Sequence, residues 1–334
     1  MANYKDIHGF QIETVTSNPD NPVNGQVWYN STDQKLRGFT TNSTGSWATG
    51  GAMNTASFGR AGLGIQTAAL AAGGGTATAI VGIVESYNGT AFSEVADITA
   101  RRLPGGAGTT TAGLVFGGSS DSTTGSGLTE TWNGSAFSEV NDLNSARGAL
   151  GDNGTQTSAL GYGGRPGSVA VTESWNGTSW TEVNDLNQVR HALAGAGADN
   201  TSALAIGGME TADYEDETGK TESWNGSAWT EVNDLNTARG FTGAGGIVTA
   251  AIVFGGRKEN PGSGHVRYGQ TEIWNGTSWT EVADLNITRS NLGGNGTTAL
   301  ALAYGGFTPP SNALINGTEE WSEPVNTTVE FDLS

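Results

Sequence analysis

The chain has 334 residues, a charged fraction of 14% and a formal net charge of −18. Nucleic-acid binding depends on clustered Lys and Arg, so we do not expect a chain with this negative net charge to bind nucleic acid. The sequence has no cysteine, which excludes disulfides, thiolate catalysis and zinc–thiolate sites. It has no apolar stretch of 18 residues, and its first residues lack the apolar run of a signal peptide, so we expect no membrane insertion.

Residues 1 to about 40 lie outside any repeat and predict an N-terminal arm or anchor, followed by a second domain over 41–334. The arm contains a turn-rich stretch from Asn18 to Pro22, then the segment from Gly25 to Thr32, and then a charged, strand-like stretch from Gln34 to Thr40. Two compatible interpretations are open. The arm lies along the second domain, or it anchors the chain to a partner, with Trp28 and Tyr29 as the anchoring side chains.

The rest of the chain repeats one stretch, for which Glu173 to Arg190 (ESWNGTSWTEVNDLNQVR) serves as the type. Each copy follows a short apolar run that ends in Gly-Gly. The aromatic residues after the leading Glu are 45, 43, 49, 50 and 47 residues apart, at Tyr87, Trp132, Trp175, Trp224, Trp274 and Trp321. A period in this range indicates a repeat architecture, and the Gly- and Thr-rich composition favours short strands with tight turns.

The count of strand segments predicts how such a chain closes. There are six Gly-Gly segments and six Glu-x-aromatic segments, but only five complete repeats carry a second aromatic, and Trp47 supplies the sixth. We therefore predict an all-β fold, a six-bladed β-propeller of four-stranded blades, closed by the N-terminal strand at Trp47 completing the last blade. This closure removes the open sheet edge. The tail from Val325 to Ser334 is expected to add a strand at the seam.

Two details of the repeat lead to structural predictions. Asn176-Gly177 predicts a two-residue type I′ turn that pairs Trp175 with Thr178, with the repeat's two aromatics packed between blades. Asp185 and Arg190 recur in most copies, whereas the first unit has Ala52 and Ser57 in their places. We interpret them as a partly buried ion pair, or as an arginine that bridges backbone carbonyls at the blade junction.

These units resemble the kelch repeat, in which Gly-Gly ends the second strand and two aromatics follow in the outer hairpin. The resemblance covers about Gly45 to Trp321. It implies a propeller fold and says little about activity, since function depends on sites placed on a fold.

The arm carries a second resemblance. The segment NPDNPVNGQVWYNSTDQKLRGF, residues 18–39, is similar to segments at the start of virion and tail-associated proteins of tailed bacteriophages, where G-Q-x-W-Y-N-S-T-x-x-x-L is a common string. It implies localisation in the virion, docking on other virion proteins through the arm, and multiple copies in an assembly.

The loops after each Gly-Gly vary, unlike the rest of the repeat. Blade three has a short loop, whereas blades four and five have long loops of opposite charge, Met209 to Lys220 and Arg257 to Gln270. We predict a binding rim there. The alternative is that these are solvated loops attracting each other. The candidate residues are Asp213, Tyr214, Glu215, Asp216, Arg257, Lys258, His265, Arg267 and Tyr268.

The sequence predicts no enzyme, no cofactor and no metal site. The histidines, His8, His191 and His265, are far apart and lack the spacing of metal ligands. Three functions remain open. The first is a phage virion protein whose propeller binds a host-surface glycan or protein. The second is a capsid or tail decoration protein without a receptor role. The third is a carbohydrate-binding or hydrolytic propeller of bacterial origin.

Overall fold

A computed structural model describes residues 12–20, 22–23, 25–41, 44–121, 124–211, 216–260, 264–323 and 326–331. The chain divides into two compact units. Unit 1 comprises Met1–Gly45 and Glu323–Ser334, and unit 2 comprises Ser46–Ser322. This division differs from the predicted boundary at residue 40, because the C-terminal tail belongs to the same unit as the arm.

Unit 1 contains one four-stranded sheet in the order β1-β2-β3-β32. Its strands are β1 (Glu13–Val15), β2 (Val27–Asn30), β3 (Lys35–Thr41) and β32 (Asn326–Phe331). The tail strand β32 pairs antiparallel with β3, so it extends the arm's sheet. The expectation of a tail strand is met, but its partner is the arm and not the seam of the repeat region.

Unit 2 contains six four-stranded antiparallel sheets, which we number in chain order. Sheet 1 comprises β5 (Ala61–Ile65), β6 (Ala68–Ala72), β7 (Val84–Tyr87) and β8 (Phe92–Glu94). Sheet 2 comprises β9 (Gly105–Gly108), β10 (Gly113–Phe116), β11 (Thr129–Trp132) and β12 (Phe137–Val140). Sheet 3 comprises β13 (Gly151–Thr155), β14 (Ser158–Tyr162), β15 (Thr172–Trp175) and β16 (Trp180–Val183).

The remaining sheets of unit 2 carry insertions. Sheet 4 comprises β17 (Ala194–Asp199), β18 (Ser202–Ile206), β19 (Thr221–Trp224) and β20 (Trp229–Val232). Sheet 5 comprises β21 (Gly243–Ile247), β22 (Ala250–Phe254), β25 (Thr271–Trp274) and β26 (Trp279–Val282), with the hairpin β23 (Arg257–Asn260) and β24 (Gly264–Arg267) inserted. Sheet 6 comprises β27 (Gly293–Gly296), β28 (Leu300–Tyr304), β31 (Thr318–Ser322) and β4 (Ser46–Gly50), with β29 (Phe307–Thr308) and β30 (Ala313–Leu314) inserted.

The all-β prediction is confirmed, since the described residues contain strands and no helix, and the four-stranded sheets fit a β-propeller. The outer strand of sheet 6 is β4, from the start of unit 2. Trp47 of β4 lies opposite Trp321 of β31, and their ring centroids are 5.5 Å apart. The Trp47 Nε1–H donates to Thr271 Oγ1 of sheet 5 at 2.9 Å.

A cycle of six backbone hydrogen bonds joins the segments that lead into the first strands of the six sheets. Its members are Gly59, Leu103, Ala149, Ala192, Phe241 and Asn291, all with φ between 51° and 61°. Leu103 N–H donates to Gly59 O at 2.7 Å, and each later member donates to the one before it. Gly59 N–H donates to Asn291 O at 2.9 Å, which returns the path to its start. We call this the backbone cycle.

The outer hairpins differ from the predicted type I′ turn. In sheet 3, Trp175 pairs with Trp180, so the connection has four residues. The Asn176 Oδ1 accepts the N–H groups of Thr178 and Ser179, each at 2.9 Å. The side chain of Asn176 thus closes the turn, which the type I′ prediction did not allow for. The two Trp rings lie 5.4 Å apart and pack against Phe116 of sheet 2, as the packing prediction requires.

The predicted ion pair between Asp185 and Arg190 is wrong. Asp185 is exposed and its Oδ1 accepts the Thr172 N–H at 3.1 Å. Arg190 is fully buried, and its Nη2 lies 2.8 Å from Glu222 Oε1 on the third strand of sheet 4. The predicted alternative holds, because Arg190 Nη1 donates to the carbonyls of Gly207 and Lys220.

The same buried arginine–glutamate pair occurs once in each sheet, and we call the set the Arg–Glu ladder. The pairs are Arg60–Glu85, Arg101–Glu130, Arg147–Glu173, Arg190–Glu222, Arg239–Glu272 and Arg289–Glu319. In sheet 1, Ser57 occupies the repeat's arginine position, and Arg60 forms the pair with Glu85 in its place. In sheet 2 the ladder arginine is Arg101, because that connection is one residue shorter than its copies, and Arg102 is left outside the ladder.

Candidate functional site

The hairpin β23–β24 brings two predicted rim residues, Arg257 and His265, together around the carboxylate of Glu259. His265 Nδ1 lies 2.6 Å from Glu259 Oε1, and Arg257 Nη2 lies 3.5 Å from the same atom. Arg257 Nη1 also lies 2.8 Å from His265 Nε2. The Arg257 guanidinium stands 4.6 Å from the ring centroid of Phe241, a member of the backbone cycle. The hairpin therefore holds its own charges in a fixed arrangement next to the cycle.

This hairpin is joined to the loops of both neighbouring sheets. The Glu259 N–H donates to Glu217 Oε1, which belongs to the long loop of sheet 4. Arg267 Nη2 donates to Asn312 Oδ1 in the inserted loop of sheet 6, and its Nε–H donates to Ser290 Oγ at 3.1 Å. The described parts of the variable loops on sheets 4, 5 and 6 thus form one connected surface.

The other predicted rim residues have less defined positions. Lys258 and Asp216 are exposed, and Tyr268 is half-buried with its backbone N–H donating to Gly256 O at 2.9 Å. Asp213, Tyr214 and Glu215 lie outside the described residues.

The two predicted anchor residues lie in unit 1. Trp28 is fully buried there, and its Nε1–H donates to Asn18 Oδ1 at 3.2 Å. Its side chain packs inside unit 1, so it has no surface to offer a partner. Tyr29 is half-buried.

Sequence reasoning missed three residues of basic type, two arginines and a histidine, that lie on the same rim. Isolated β-bridges join the segments next to the backbone cycle to the residues that follow each Gly-Gly. They pair Arg102 with Ser119, Arg165 with Gly148 and His191 with Met209. Gly240 is bridged to Arg257 in the same way. Arg102, Arg165, His191 and Arg257 therefore follow one another beside the cycle, and Arg267 comes next through its hydrogen bond to Ser290. We call these five residues the basic arc.

The charges of the basic arc act on one another. Burial lowers the pKa of Arg165, and the positive charge of Arg102 lowers it further. Burial lowers the pKa of His191 to about 4, with added contributions from Arg165 and Arg257. Burial also lowers the pKa of Arg257, and Arg267 acts in the same direction against the opposing effect of Glu259. The arginines of the arc thus lower one another's pKa, whereas His191, with a pKa of about 4, is neutral at neutral pH.

Two aromatic side chains, Phe58 and Phe307, lie between the two ends of the basic arc. Their ring centroids are 4.7 Å apart, and the Arg102 guanidinium stands 5.9 Å from the Phe58 ring. Phe58 and Phe307 are bridged to Gly75 and Ser290 in the same pattern as the residues of the arc. Cations and half-buried aromatic rings therefore share the surface around the cycle.

Below the cycle, the first strands of the six sheets line a cavity of about 200 Å³. Most positions on these strands hold Gly or Ala, but sheet 3 has Asp152, whose Oδ2 accepts the Gly106 N–H at 2.6 Å. Burial raises the pKa of Asp152 from 3.8 to about 7, against the lowering effect of that hydrogen bond. Because Gly or Ala occupies most positions of these strands, the fold does not need a carboxyl group at Asp152.

We expect Asp152→Asn to stabilise the protein at neutral pH. A carboxyl with a raised pKa in the folded state contributes stability at low pH, and this contribution is lost as pH rises from 3.8 to 7. The pKa shift corresponds to a loss of about 4 kcal/mol of stability above pH 7, which Asp152→Asn should remove, and to almost no loss below pH 4. Thermal unfolding at pH 4 and pH 8 measures this difference. Asp199→Asn is the control, because the pKa of Asp199 is lowered by its hydrogen bonds to Thr201. Stabilisation that is equal at both pH values would contradict the assignment.

His191 predicts a pH dependence of the opposite sign. It is 1% exposed and its Nδ1 lies 3.0 Å from Ser168 Oγ. Because its pKa is depressed when folded, the unfolded chain binds the proton first, and stability falls as pH decreases from 6.5 to about 4. The loss reaches about 3 kcal/mol. Chemical denaturation across this pH range should show that the free energy of unfolding depends less steeply on pH in His191→Gln than in the wild type. An unchanged pH dependence would rule His191 out as the source.

Comparisons with known proteins support the fold and no more. No protein-family model matches the chain, and no curated protein matches it. Among solved structures, that of YjhT aligns with a TM-score of 0.69 and 11% sequence identity, covering 83% of this chain and 99% of YjhT. In the described residues, no helix is long and apolar enough to cross a membrane, and no three His, Cys, Asp or Glu side chains gather as a metal site.

Proposed function

We propose that the chain is a non-enzymatic virion protein of a tailed bacteriophage, in which unit 1 attaches to other virion proteins and unit 2 offers its variable rim to the host surface. The observation that carries the binding role is the connected surface of sheets 4 to 6. The repeat is nearly constant elsewhere, whereas these loops differ in length and charge and are joined through Glu217, Glu259 and Asn312. Departures from a repeat that the fold does not require are the natural place for recognition.

For unit 2 we propose the complete architecture of a six-bladed kelch-like propeller closed by β4. Two observations support it. The β4 strand pairs with β31 over five residues, and the backbone cycle passes through one segment from each of the six sheets. A closed ring leaves no sheet edge open to pairing with another chain, which suits a protein displayed at high local concentration.

The virion location rests on the resemblance of residues 18–39 to the start of phage virion proteins. In the structure this segment contributes β2 and β3, and β3 holds the tail strand β32 through Lys35–Glu330 and Arg37–Glu330 contacts of 2.6 and 3.0 Å. The arm and the tail therefore form one attachment unit. Trp28 supports the sheet from inside, so attachment would use the exposed surface of unit 1.

A decoration role without a receptor is the second candidate. The observation in its favour is that Glu259 already engages both Arg257 and His265, so part of the rim is satisfied within the protein. Charges paired in this way offer less to an outside ligand. The choice between the two roles depends on whether the rim binds the host surface.

Electron microscopy of purified particles labelled with an antibody to this chain tests the proposal. We expect label on the particle at repeated positions of one structure, such as the tail. Particles that carry no label, although the antibody recognises the isolated protein, would contradict a virion location.

A further inference from the structure

We propose that the cavity below the backbone cycle binds a Ca²⁺ ion, with the carboxylate of Asp152 as its charged ligand and backbone carbonyls of the surrounding strands as neutral ligands. The cavity lies within unit 2 and is lined by the first strands of all six sheets. The hairpin β23–β24 takes no part in this site, and the site does not depend on the proposed virion location.

The first strand of each sheet turns one edge of its backbone toward this cavity. In sheet 2, β9 is the end strand, and the Gly106 N–H on its outer edge donates to Asp152 Oδ2 at 2.6 Å. In an antiparallel strand, the N–H and the C=O of such a residue point to the same side. The residue three positions after each member of the backbone cycle takes this place, and the six are Gly62, Gly106, Asp152, Gly195, Ala244 and Gly294. Their carbonyl oxygens therefore face the cavity as neutral ligands.

Asp152 is the charged residue of this set, in which the other five are Gly or Ala. Its carboxylate accepts the Gly106 N–H, and burial raises its pKa without an opposing effect from any described cation. Among the described residues that line the cavity, the cationic side chain is Arg60, which pairs with Glu85. A carboxylate removed from water is unfavourable without a counter-charge. A cation bound in the cavity supplies that charge.

Two buried amides on the same cavity have unused hydrogen-bonding atoms. Asn153 is 6% exposed and Asn295 is 4% exposed, and both line the cavity. Within the described residues, Asn153 Oδ1 and both polar atoms of Asn295 have no hydrogen-bond partner. The equivalent positions in the other sheets hold Leu63, Ala107, Ala196 and Gly245. The fold therefore does not require an amide there, and polar contents such as the water ligands of a bound ion would satisfy these atoms.

The available ligand atoms fit Ca²⁺ better than other common metal ions. Ca²⁺ takes six to eight oxygen ligands from carboxylates, carbonyls and water in flexible geometry, whereas Mg²⁺ demands near-octahedral geometry and keeps its water. Zn²⁺ prefers His and Cys, but the described lining contains no His and the chain has no Cys. The cavity of about 200 Å³ has room for an ion with several water ligands. A single carboxylate predicts weak binding, with a Kd of about 0.1–1 mM.

Thermal unfolding of the full-length protein at pH 8 tests the site. We expect about 10 mM Ca²⁺ to raise the Tm of the wild type by roughly 3–6 °C over its value in EDTA, and Mg²⁺ to raise it by less than half as much. In EDTA, Asp152→Asn should be more stable than the wild type, and Ca²⁺ should narrow that difference, because the variant lacks the charged ligand. Equilibrium dialysis with radioactive calcium should show about one bound ion per chain that Asp152→Asn loses.

Asp199→Asn is the matched control for this experiment. Asp199 also belongs to a first strand, β17, but lies outside the residues that line the cavity, so this variant should respond to Ca²⁺ as the wild type does. Equal responses of the wild type and Asp152→Asn would mean that Ca²⁺ binds the acidic surface, and would overturn the proposal. A wild type that does not respond overturns it as well, as do equal responses to Ca²⁺ and Mg²⁺. These wild-type measurements decide the question even where a variant does not fold.

Discussion

Glu222→Ala is expected to lower the free energy of unfolding by about 3–5 kcal/mol, among the largest effects of any single substitution in unit 2. Glu222 is 1% exposed and receives hydrogen bonds from Arg190 and from the backbone and side chain of Asn187 at 2.7–2.8 Å. Removing the carboxylate leaves a buried guanidinium without its counter-charge. It also leaves the connecting turn without the acceptor that holds it.

Glu231 provides a matched control for this substitution. It lies directly opposite Glu222 on the adjacent strand but is exposed. We expect Glu231→Ala to change stability by no more than about 0.5 kcal/mol. A double-mutant cycle of Glu222→Ala with Arg190→Met should show strong coupling, because the second change removes the stranded charge. Urea denaturation provides these values, and additive losses in the cycle would mean that the two side chains do not depend on each other.

Trp47→Ala is expected to destabilise the protein by about 3–5 kcal/mol, as much as an equivalent substitution inside a continuous repeat. Trp47 is 6% exposed and packs against Phe254 of sheet 5 at a centroid distance of 4.9 Å. Trp180 has the equivalent environment in sheet 3, where it packs against Phe116 at 4.8 Å and its Nε1–H donates to Thr129 Oγ1 at 3.1 Å.

The comparison between these two tryptophans tests whether β4 is an integral strand of sheet 6. Equal losses for Trp47→Ala and Trp180→Ala in urea denaturation support closure by β4. A small loss for Trp47→Ala beside a large loss for Trp180→Ala would mean that β4 is only loosely attached. Removing residues 1–50 should expose the edge of β31 and cause self-association, which light scattering detects.

The fold was predictable from the sequence because its determinants are local and repeated. The period, the Gly-Gly pairs and the paired aromatics each mark a strand or a turn within a few residues. The errors came from partners distant in sequence. Asp185 and Arg190 are neighbours in the chain, which favours the prediction of a pair between them, whereas Arg190 reaches Glu222, 32 residues later. The Glu at the start of each repeat indicates the true partner of the buried arginine. It is kept in sheet 1, although the connection that leads into sheet 1 lacks the Asp and Arg of the repeat.

The candidate site was predictable only in part, for the same physical reason. Arg257, His265 and Arg267 share one hairpin, and the length and charge of that loop marked it out. Arg102 and Arg165 lie in short, ordinary segments, and they join the site only because the sheets bring those segments to one rim. In the sequence, Arg102 aligns with Arg190 of the repeat, whereas in the structure Arg101 takes that place in the ladder. A surface assembled from several repeats leaves no contiguous pattern in the sequence.

We propose that recognition takes place on the rim where the loops depart from the repeat. Adsorption of the labelled full-length protein to host cells tests it most directly, comparing the wild type with a variant in which residues 257–270 are replaced by residues 165–171 of sheet 3. Asn225→Ala, in an outer hairpin that sheets 1 to 5 share, is the control. We predict that the loop replacement abolishes most of the adsorption while Asn225→Ala retains it. Unchanged adsorption by a folded loop-replacement variant would contradict recognition through this rim.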